Sequence, residues 1–315
     1  MIVTLTPNPS IDRTISVDQL QHGEVHRATD SRIDPGGKGI NVARALTANG
    51  TAALAVLPTG GPEGHLMTDL LDRAGTAYTA VPISGTTRMN IAIIEPDGTT
   101  TKVNEPGPTL SPEEVEALVG AVDAALPGAQ WLVGSGSLAP GLGDDIYATL
   151  VARGHAAGLL VAIDSSGAPL AAAMPAHPDL IKPNHEELEE LVGRSLPTLG
   201  DVYAAALDLI DGGVGTVVVS LGRHGAVAVT ADGIAHASGH IDRPVSTVGA
   251  GDSLLAGYLH AVCRGATPTE ALANGVAWGS AAVSLPGSRM PTPEDVAAIP
   301  VTSTSDPDLA MVLTN

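Results

Sequence analysis

Five residues in the last quarter of the chain pose a chemical question. Gly249-Ala250-Gly251-Asp252-Ser253 stands where a β-like run gives way to a helical pattern of small and apolar residues, Leu254 to Val262. Backbone N–H groups left bare at a helix start bind anions, and a carboxylate beside them can take a proton from an attacking group. The same residues also read as a tight turn followed by an ordinary Asp/Ser cap. The pentapeptide alone leaves both readings open.

Four further turns fall at the ends of apolar runs, where open α/β sheets place their ligands. In DPGGKGINVARAL, Pro35-Gly36-Gly37 admits a close backbone approach, with Lys38 and Asn41 in the first turn of a following helix. The Walker and dinucleotide glycine spacings are both absent, and a solvated lysine beside a tight turn accounts for the pattern equally well. GSGSLAPG offers the hydroxyls of Ser135 and Ser137 around Gly136, but it lacks the G-x-S-x-G of a nucleophile elbow. In LIKPNHEELEELVG, Asn184 and Glu187 have the spacing of a helix cap and its reciprocal partner. The chemical alternative puts both near a hydrated Mg²⁺, an ion that takes few carboxylates and keeps water and phosphate oxygens. VVVSLGRHGAVAV is a strand, a glycine turn and a strand. The ten histidines show no metal-ligand spacing.

Composition narrows the partners. A formal charge of −19 argues against nucleic acid, so any anion site must be local. The chain has only three lysines, Lys38, Lys102 and Lys182, against twelve arginines. Hydrophobic residues make up 44% and aromatics 2%, with no Phe, so the core is built from Ala, Val, Leu and Ile. One cysteine, Cys263, excludes a disulfide framework. The N-terminus has no basic and apolar leader pattern, and no apolar run reaches membrane-spanning length. A cytoplasmic protein with no membrane partner is expected.

The elements that must position these residues alternate. Ile2–Thr6, Ala52–Leu57, Trp131–Gly134, Leu159–Asp164, Leu180–Lys182 and Thr216–Ser220 read as strands, with helices such as Gly39–Asn49 and Glu63–Ala74 between them. Apolar strands separated by helices indicate a mostly parallel sheet covered on both faces. Two stretches break the rhythm, Arg13–Ile33 and Met89–Asn104, the second a hairpin turning at Asp97-Gly98. They are expected to pair into one small sheet, a lid. Residues 301–315 read as a loosely held tail.

Ten segments in one order carry a resemblance: TLTPNPSIDRT, DPGGKGINVARAL, TRMNI, NEPGP, GSGSLAPG, IDSSGAPL, IKPNHEELEEL, VVSLGRHGA, STVGAGDS and GVAWGSAA. From Met1 to about Ala298 the chain resembles the phosphofructokinase B family of sugar kinases. The resemblance implies a ribokinase-like three-layer α/β/α sandwich, one kinase domain over residues 1–315, with the β lid also forming a homodimer interface. It implies transfer of phosphate from ATP, with Mg²⁺, to the C6 hydroxyl of fructose 1-phosphate. Tagatose 6-phosphate or fructose 6-phosphate is the alternative acceptor, and a non-catalytic sugar-phosphate sensor is the alternative of another class. By the same resemblance Asp252 is the base, and Gly249, Ala250 and Gly251 supply an anion hole. Asp12, Gly36, Gly37 and Asn41 hold the sugar; Lys38, Arg88 and Ser137 bind its existing phosphate, at the far end from Asp252. Lys182, Asn184 and Glu187 lie near the ATP phosphates and Mg²⁺. Ser220, Gly222 and Gly225 line the nucleotide site, with Val276 and Ser280 close to the adenine.

Overall fold

Alternation of buried side chains places the strands. In β1 (Ile2–Leu5), Ile2 packs into one apolar cluster while Val3 and Leu5 pack into another on the opposite side of the sheet, as the geometry of a strand requires. The computed structural model describes residues 1–241 and 244–314. Its other strands are, in order, β2 (Ser10–Ser16), β3 (Asp30–Gly36), β4 (Ala53–Thr59), β5 (Ala77–Pro82), β6 (Arg88–Ile94) and β7 (Thr100–Asn104). Then come β8 (Trp131–Ser135), β9 (Leu160–Asp164), β10 (Leu180–Ile181), β11 (Thr216–Ser220), β12 (Ala226–Thr230), β13 (Gly233–Gly239) and β14 (Val301–Thr304).

Ten of these strands form one sheet in the order β14-β13-β12-β11-β10-β9-β8-β1-β4-β5. The run from β5 to β11 is parallel and the three joins beyond it are antiparallel. Helices cover both faces. On one side Lys38–Ala48, Ala250–Val262 and Pro268–Val283 pack over the small residues Ala55, Ala162, Ala226 and Ala228. The last two helices approach closely, since a side chain at Gly257 would come within 2.7 Å of the Trp278 ring. A core without Phe suits this spacing. On the other side Val161, Ile163, Val217 and Val219 meet helices that include Ile146–Ala156 and Leu199–Asp211. Among the described residues no helix is long and apolar enough to cross a membrane.

The two rhythm-breaking segments pair as expected, into a second sheet of order β3-β2-β6-β7. It extends further along the chain than the sequence suggested, because β2 begins at Ser10 and β3 runs to Gly36. Register sorts its faces. Asp34, Asp12, Asn90 and Asn104 lie in one cross-strand row, and Arg32, Thr14, Ala92 and Lys102 in the next row of the same face. The other face carries Ile33, Ile91, Val103, Ile15 and Ile93, with Val103 57% exposed. One face is polar and the other mainly apolar, with Arg13, Ser31 and Thr101 among its aliphatic residues.

The expectation of a loose tail from 301 is corrected. β14 pairs with β13 over His236–Gly239, and further on Leu199 N–H donates to Met311 O at 2.9 Å and Leu313 N–H to Pro197 O at 2.9 Å. Met311 and Leu313 also pack against the core. Asn315 lies outside the described residues. Removing residues 301–315 should therefore lower the melting temperature by about 3 °C, taking about 2 kcal/mol for two half-buried apolar side chains. Thermal unfolding of the truncated chain at an unchanged temperature would restore the loose-tail reading.

Candidate active site

Asp252 is buried in the first turn of helix Ala250–Val262, and its carboxylate does not cap that helix. Oδ2 instead accepts a hydrogen bond from Asn41 Nδ2 at 2.8 Å. The helix opens at Gly249 in the left-handed region, φ 76°, with no side-chain cap. Helix Lys38–Ala48 opens the same way at Gly37, φ 118°, where a Cβ would sit 2.5 Å from Thr6 Cγ2. Helices beginning after Ser111, Asn184, Thr198, Thr267 and Thr292 all carry reciprocal capping boxes. Helices Gly61–Arg73, Ile146–Ala156 and Gly167–Ala173 also lack a side-chain cap, but the starts at Gly37 and Gly249 are the ones joined by the Asn41–Asp252 contact, where N–H groups can meet an anion.

Beside Asp252 lies a carboxylate between two lysines. Asp164, the last residue of β9, is fully buried; Lys38 Nζ stands 2.9 Å from Oδ1 and Lys182 Nζ 3.4 Å from Oδ2. Lys38 Nζ is also 3.8 Å from Glu187 Oε1. Burial alone would raise the Asp164 carboxyl, but Lys182 and Lys38 together hold it below the usual carboxylate range. Asp164 in turn raises Lys38, against the pull of burial. Asp252 moves the opposite way. Burial first, then the negative charge of Asp164, push it up to about 6, while Lys38, Asn41 and Lys182 oppose the rise. Lys182 lies behind the helix start, where a Cβ at Gly251 would come within 3.3 Å of its Nζ.

The expected sugar residues gather where the small sheet meets the main domain. Asp12 Oδ1 accepts from Ser10 Oγ at 2.7 Å and Asn90 Nδ2 at 3.2 Å. Gly36 is required there, since a Cβ would lie 2.3 Å from the Asp12 carboxyl. Burial raises the Asp12 carboxyl, and Ser10 and Asn90 counter it. A cavity of about 170 Å³ is lined by Asp12, Asn90, Lys102, Asn104, Val248 and Ser288. A second, of about 440 Å³, includes Thr86, Arg88, Glu105 and Thr109. Arg88 donates to Glu105 O at 2.9 Å and Asn8 O at 3.0 Å. Ser137 is exposed, next to Gly136, whose carbonyl accepts from Tyr147 Oη at 2.7 Å and Ser165 Oγ at 3.0 Å.

Lys38 was expected with Arg88, at the end of the sugar far from Asp252. Its ion pairs put it with Asp164 and Glu187, and its charge acts on Asp252. The cause is the helix start that carries it, which abuts the end of β8, where a Cβ at Gly136 would be 3.8 Å from Lys38 Cβ.

The remaining residues line the strand ends from β10 to β13. Asn184 accepts from Glu187 N–H at 2.7 Å, and Glu187 Oε2 accepts from Asn184 N–H at 2.8 Å, so the capping box forms. Glu187 Oε1 stays turned toward Lys38. Asn184 also bridges to Ser220. Gly222 and Gly225 bound the turn between β11 and β12, and a Cβ at Gly225, φ 85°, would lie 2.0 Å from Ala237 O. Val276 and Ser280 face Gly239 of β13 from helix Pro268–Val283, where a Cβ at Gly239 would meet Ser280 Oγ at 2.3 Å. Sequence reasoning gave no role to Asp164, Asn90 or Arg44. A charged residue ending the apolar run Leu160–Asp164 was the available signal for the first.

A buried carboxylate and two convergent lysines at the ends of parallel strands, beside an uncapped helix start, are groups of the kind that phosphoryl transfer uses. The comparisons place the class. Residues 5–295 match the family described as pfkB family carbohydrate kinase, and the chain belongs to that family. It is 35% identical to the 1-phosphofructokinase of Rhodobacter capsulatus over 96% of both chains. It is 37% identical to that of Haloferax volcanii over 94% of this chain and 95% of the other. Phosphofructokinase-2 from Escherichia coli superposes with a TM-score of 0.90 at 35% identity, covering 94% and 97%. Ribokinase from Thermotoga maritima, at 23% identity and a TM-score of 0.75 over 94% and 98%, shares the fold. The chain is a carbohydrate kinase of the ribokinase fold.

The Asp252 shift carries a stability consequence. A carboxyl held near 6 when folded, against 3.8 unfolded, is destabilising once ionised; the loss grows as pH rises from about 4 to 6. Asp252→Asn removes it and should stabilise the protein at pH 7 to 8 by about 2–3 kcal/mol, with no gain below pH 4. Melting temperatures across that range test this, and a loss of stability at pH 8 would contradict the assignment.

Proposed function

We propose that the protein transfers the γ-phosphoryl group of ATP to the C6 hydroxyl of fructose 1-phosphate, giving fructose 1,6-bisphosphate and ADP. The observation that carries the reading is the ionisable Asp252, buried at the bare helix start and flanked by Lys38, Lys182 and Asp164. The two 1-phosphofructokinases similar over nearly the whole chain support the choice of acceptor.

In this reading Asp252 accepts the C6 hydroxyl proton. A carboxylate poised near 6 is ionised at neutral pH and still basic enough to work as general base. The N–H groups of Gly249, Ala250 and Gly251 face the transferring phosphoryl oxygens, and Lys38 and Lys182 offset their charge. Asp12, Gly36, Gly37 and Asn41 hold the sugar, while Arg88 and Ser137 take its phosphate. Ser220, Gly222 and Gly225 line the nucleotide, with Val276 and Ser280 toward the adenine. Among the described residues no three acidic, His or Cys side chains gather into a protein-only cage. Glu187, with one oxygen left by its capping box, and Asn184 suit an Mg²⁺ held through water. Such an ion supplies charge neutralisation at the phosphates. The small sheet serves as lid, its polar face over the cavity excluding water during transfer. Its apolar face, with Val103 57% exposed, is the homodimer surface. The enzyme works in the cytoplasm, where both substrates are found.

Side-by-side kcat/KM for fructose 1-phosphate, fructose 6-phosphate, tagatose 6-phosphate and fructose should favour the first, and a 6-phosphate winning would overturn the named acceptor. Asp252→Asn should lower kcat at least about a hundredfold with substrate binding retained. In the wild type, kcat/KM should rise with pH through about 6 as Asp252 ionises. Arg88→Ala should cost ten- to a hundredfold in kcat/KM for the phosphorylated sugar, about the worth of one charge-assisted contact, with little change in KM for ATP. An equal loss in both would take Arg88 out of the sugar-phosphate site.

A further inference from the structure

The amide of Asn41 stands between a group that can only donate and one that, when ionised, can only accept. On one side its Nδ2 donates to Asp252 Oδ2 at 2.8 Å. On the other its Oδ1 accepts from Arg44 Nη1 at 3.3 Å. The same Nη1 reaches Pro35 O at 3.1 Å and Ser288 O at 3.2 Å. Arg44 lies one helical turn on from Asn41 in helix Lys38–Ala48 and is 9% exposed. A guanidinium has no acceptor, so a flipped Asn41 would turn its NH₂ against the donor Nη1 of Arg44. Only one amide orientation satisfies both neighbours. That orientation offers a donor to Asp252, which favours the ionised carboxylate. Protonated Asp252 would be better served by the flipped amide, and Arg44 opposes that flip.

We propose that Arg44 is a positioning residue for Asp252, acting through Asn41, whose amide it locks with Nδ2 toward the carboxylate so that Asp252 stays in its proton-accepting form. The charged groups around this chain of contacts are Asp34, Arg32 and Asp12 near Arg44, and Asp164, Lys38 and Lys182 near Asp252. Among the described residues none of these flanking groups hydrogen-bonds Asn41, so its amide is set by Arg44 on the carbonyl side and Asp252 on the NH₂ side. The same guanidinium ties the Ser288 loop, which lines the sugar cavity, to the end of β3. A purely structural clamp therefore has to be separated from the relay. The proposal rests on Asp252 acting as the base.

The experiment measures kcat/KM for fructose 1-phosphate against pH in the wild type, Arg44→Met, Asn41→Ala and the double variant. In Arg44→Met the acid limb should move up by about half to one pH unit, since a hydrogen bond to the ionised form is lost. Activity at pH 7 should fall about tenfold and recover above pH 8, with KM for ATP unchanged. The double variant should be no worse than Asn41→Ala alone, because both changes break one relay. Should Arg44→Met fail to fold, Arg44→Gln serves in its place. Its amide can accept as well as donate, so it releases the lock and should shift the limb likewise. A loss uniform across pH, or effects that multiply in the double variant, would overturn the relay. Asp252→Asn keeping its turnover defeats the base assignment instead. An inactive Asp252→Asn beside an unmoved limb in the Arg44 variants defeats only the relay.

Discussion

The Asp164 carboxylate, buried between Lys38 and Lys182, is the contact on which the site depends. An isolated buried charge is destabilising by several kcal/mol, and one well-placed counter-charge recovers part of that. Two lysines at 2.9 and 3.4 Å do so from different elements, one at the first residue of a helix and one just past β10. That helix start, β9 and β10 are thereby fixed against one another at the strand ends. The same negative charge then reaches Asp252 and helps lift it to about 6. One carboxylate gathers the cations and sets the basicity of its neighbour.

Much of this was legible because it is local. Parallel strands read as apolar runs, one capping box as Asn184 three residues before Glu187, and the small sheet as a loss of helical period. The motif around Asp252 declared itself through its glycines. What stayed hidden depends on partners distant in sequence. Nothing near Lys38 says that it meets Asp164 and Glu187; that follows from its helix start abutting the end of β8. Asp164 looks like the end of a strand until two lysines from elsewhere are seen to meet it. Arg44 sits in a helical pattern and acquires meaning only from the Asn41–Asp252 contact, which joins residues 211 positions apart. The terminal residues have no period at all and are held by β13 and by Pro197 to Gly200.

Small side chains govern how closely these parts approach. With aromatics at 2% and no Phe, the face under helices Ala250–Val262 and Pro268–Val283 is lined largely by alanine. The helix that carries Asp252 is thus seated against helix Pro268–Val283 through Gly257 and Trp278, and over the alanines of the sheet. Packing of that density transmits strain, so enlarging a residue such as Gly257 would be felt at Asp252.

The order of strands bears on how the chain is made. β1 precedes the other strands of its sheet in the chain, yet it lies inside that sheet with β4 on one flank and β8 on the other. Its second flank stays open until Trp131 has been synthesised, an interval of about ten seconds at typical elongation rates. Throughout that time an apolar strand edge is exposed, a surface on which nascent chains aggregate. The β14 margin closes later still, since β14 follows every other strand of this sheet in the chain. The growing kinase therefore has an open strand edge that the finished one lacks, from the making of β1 until that of β8.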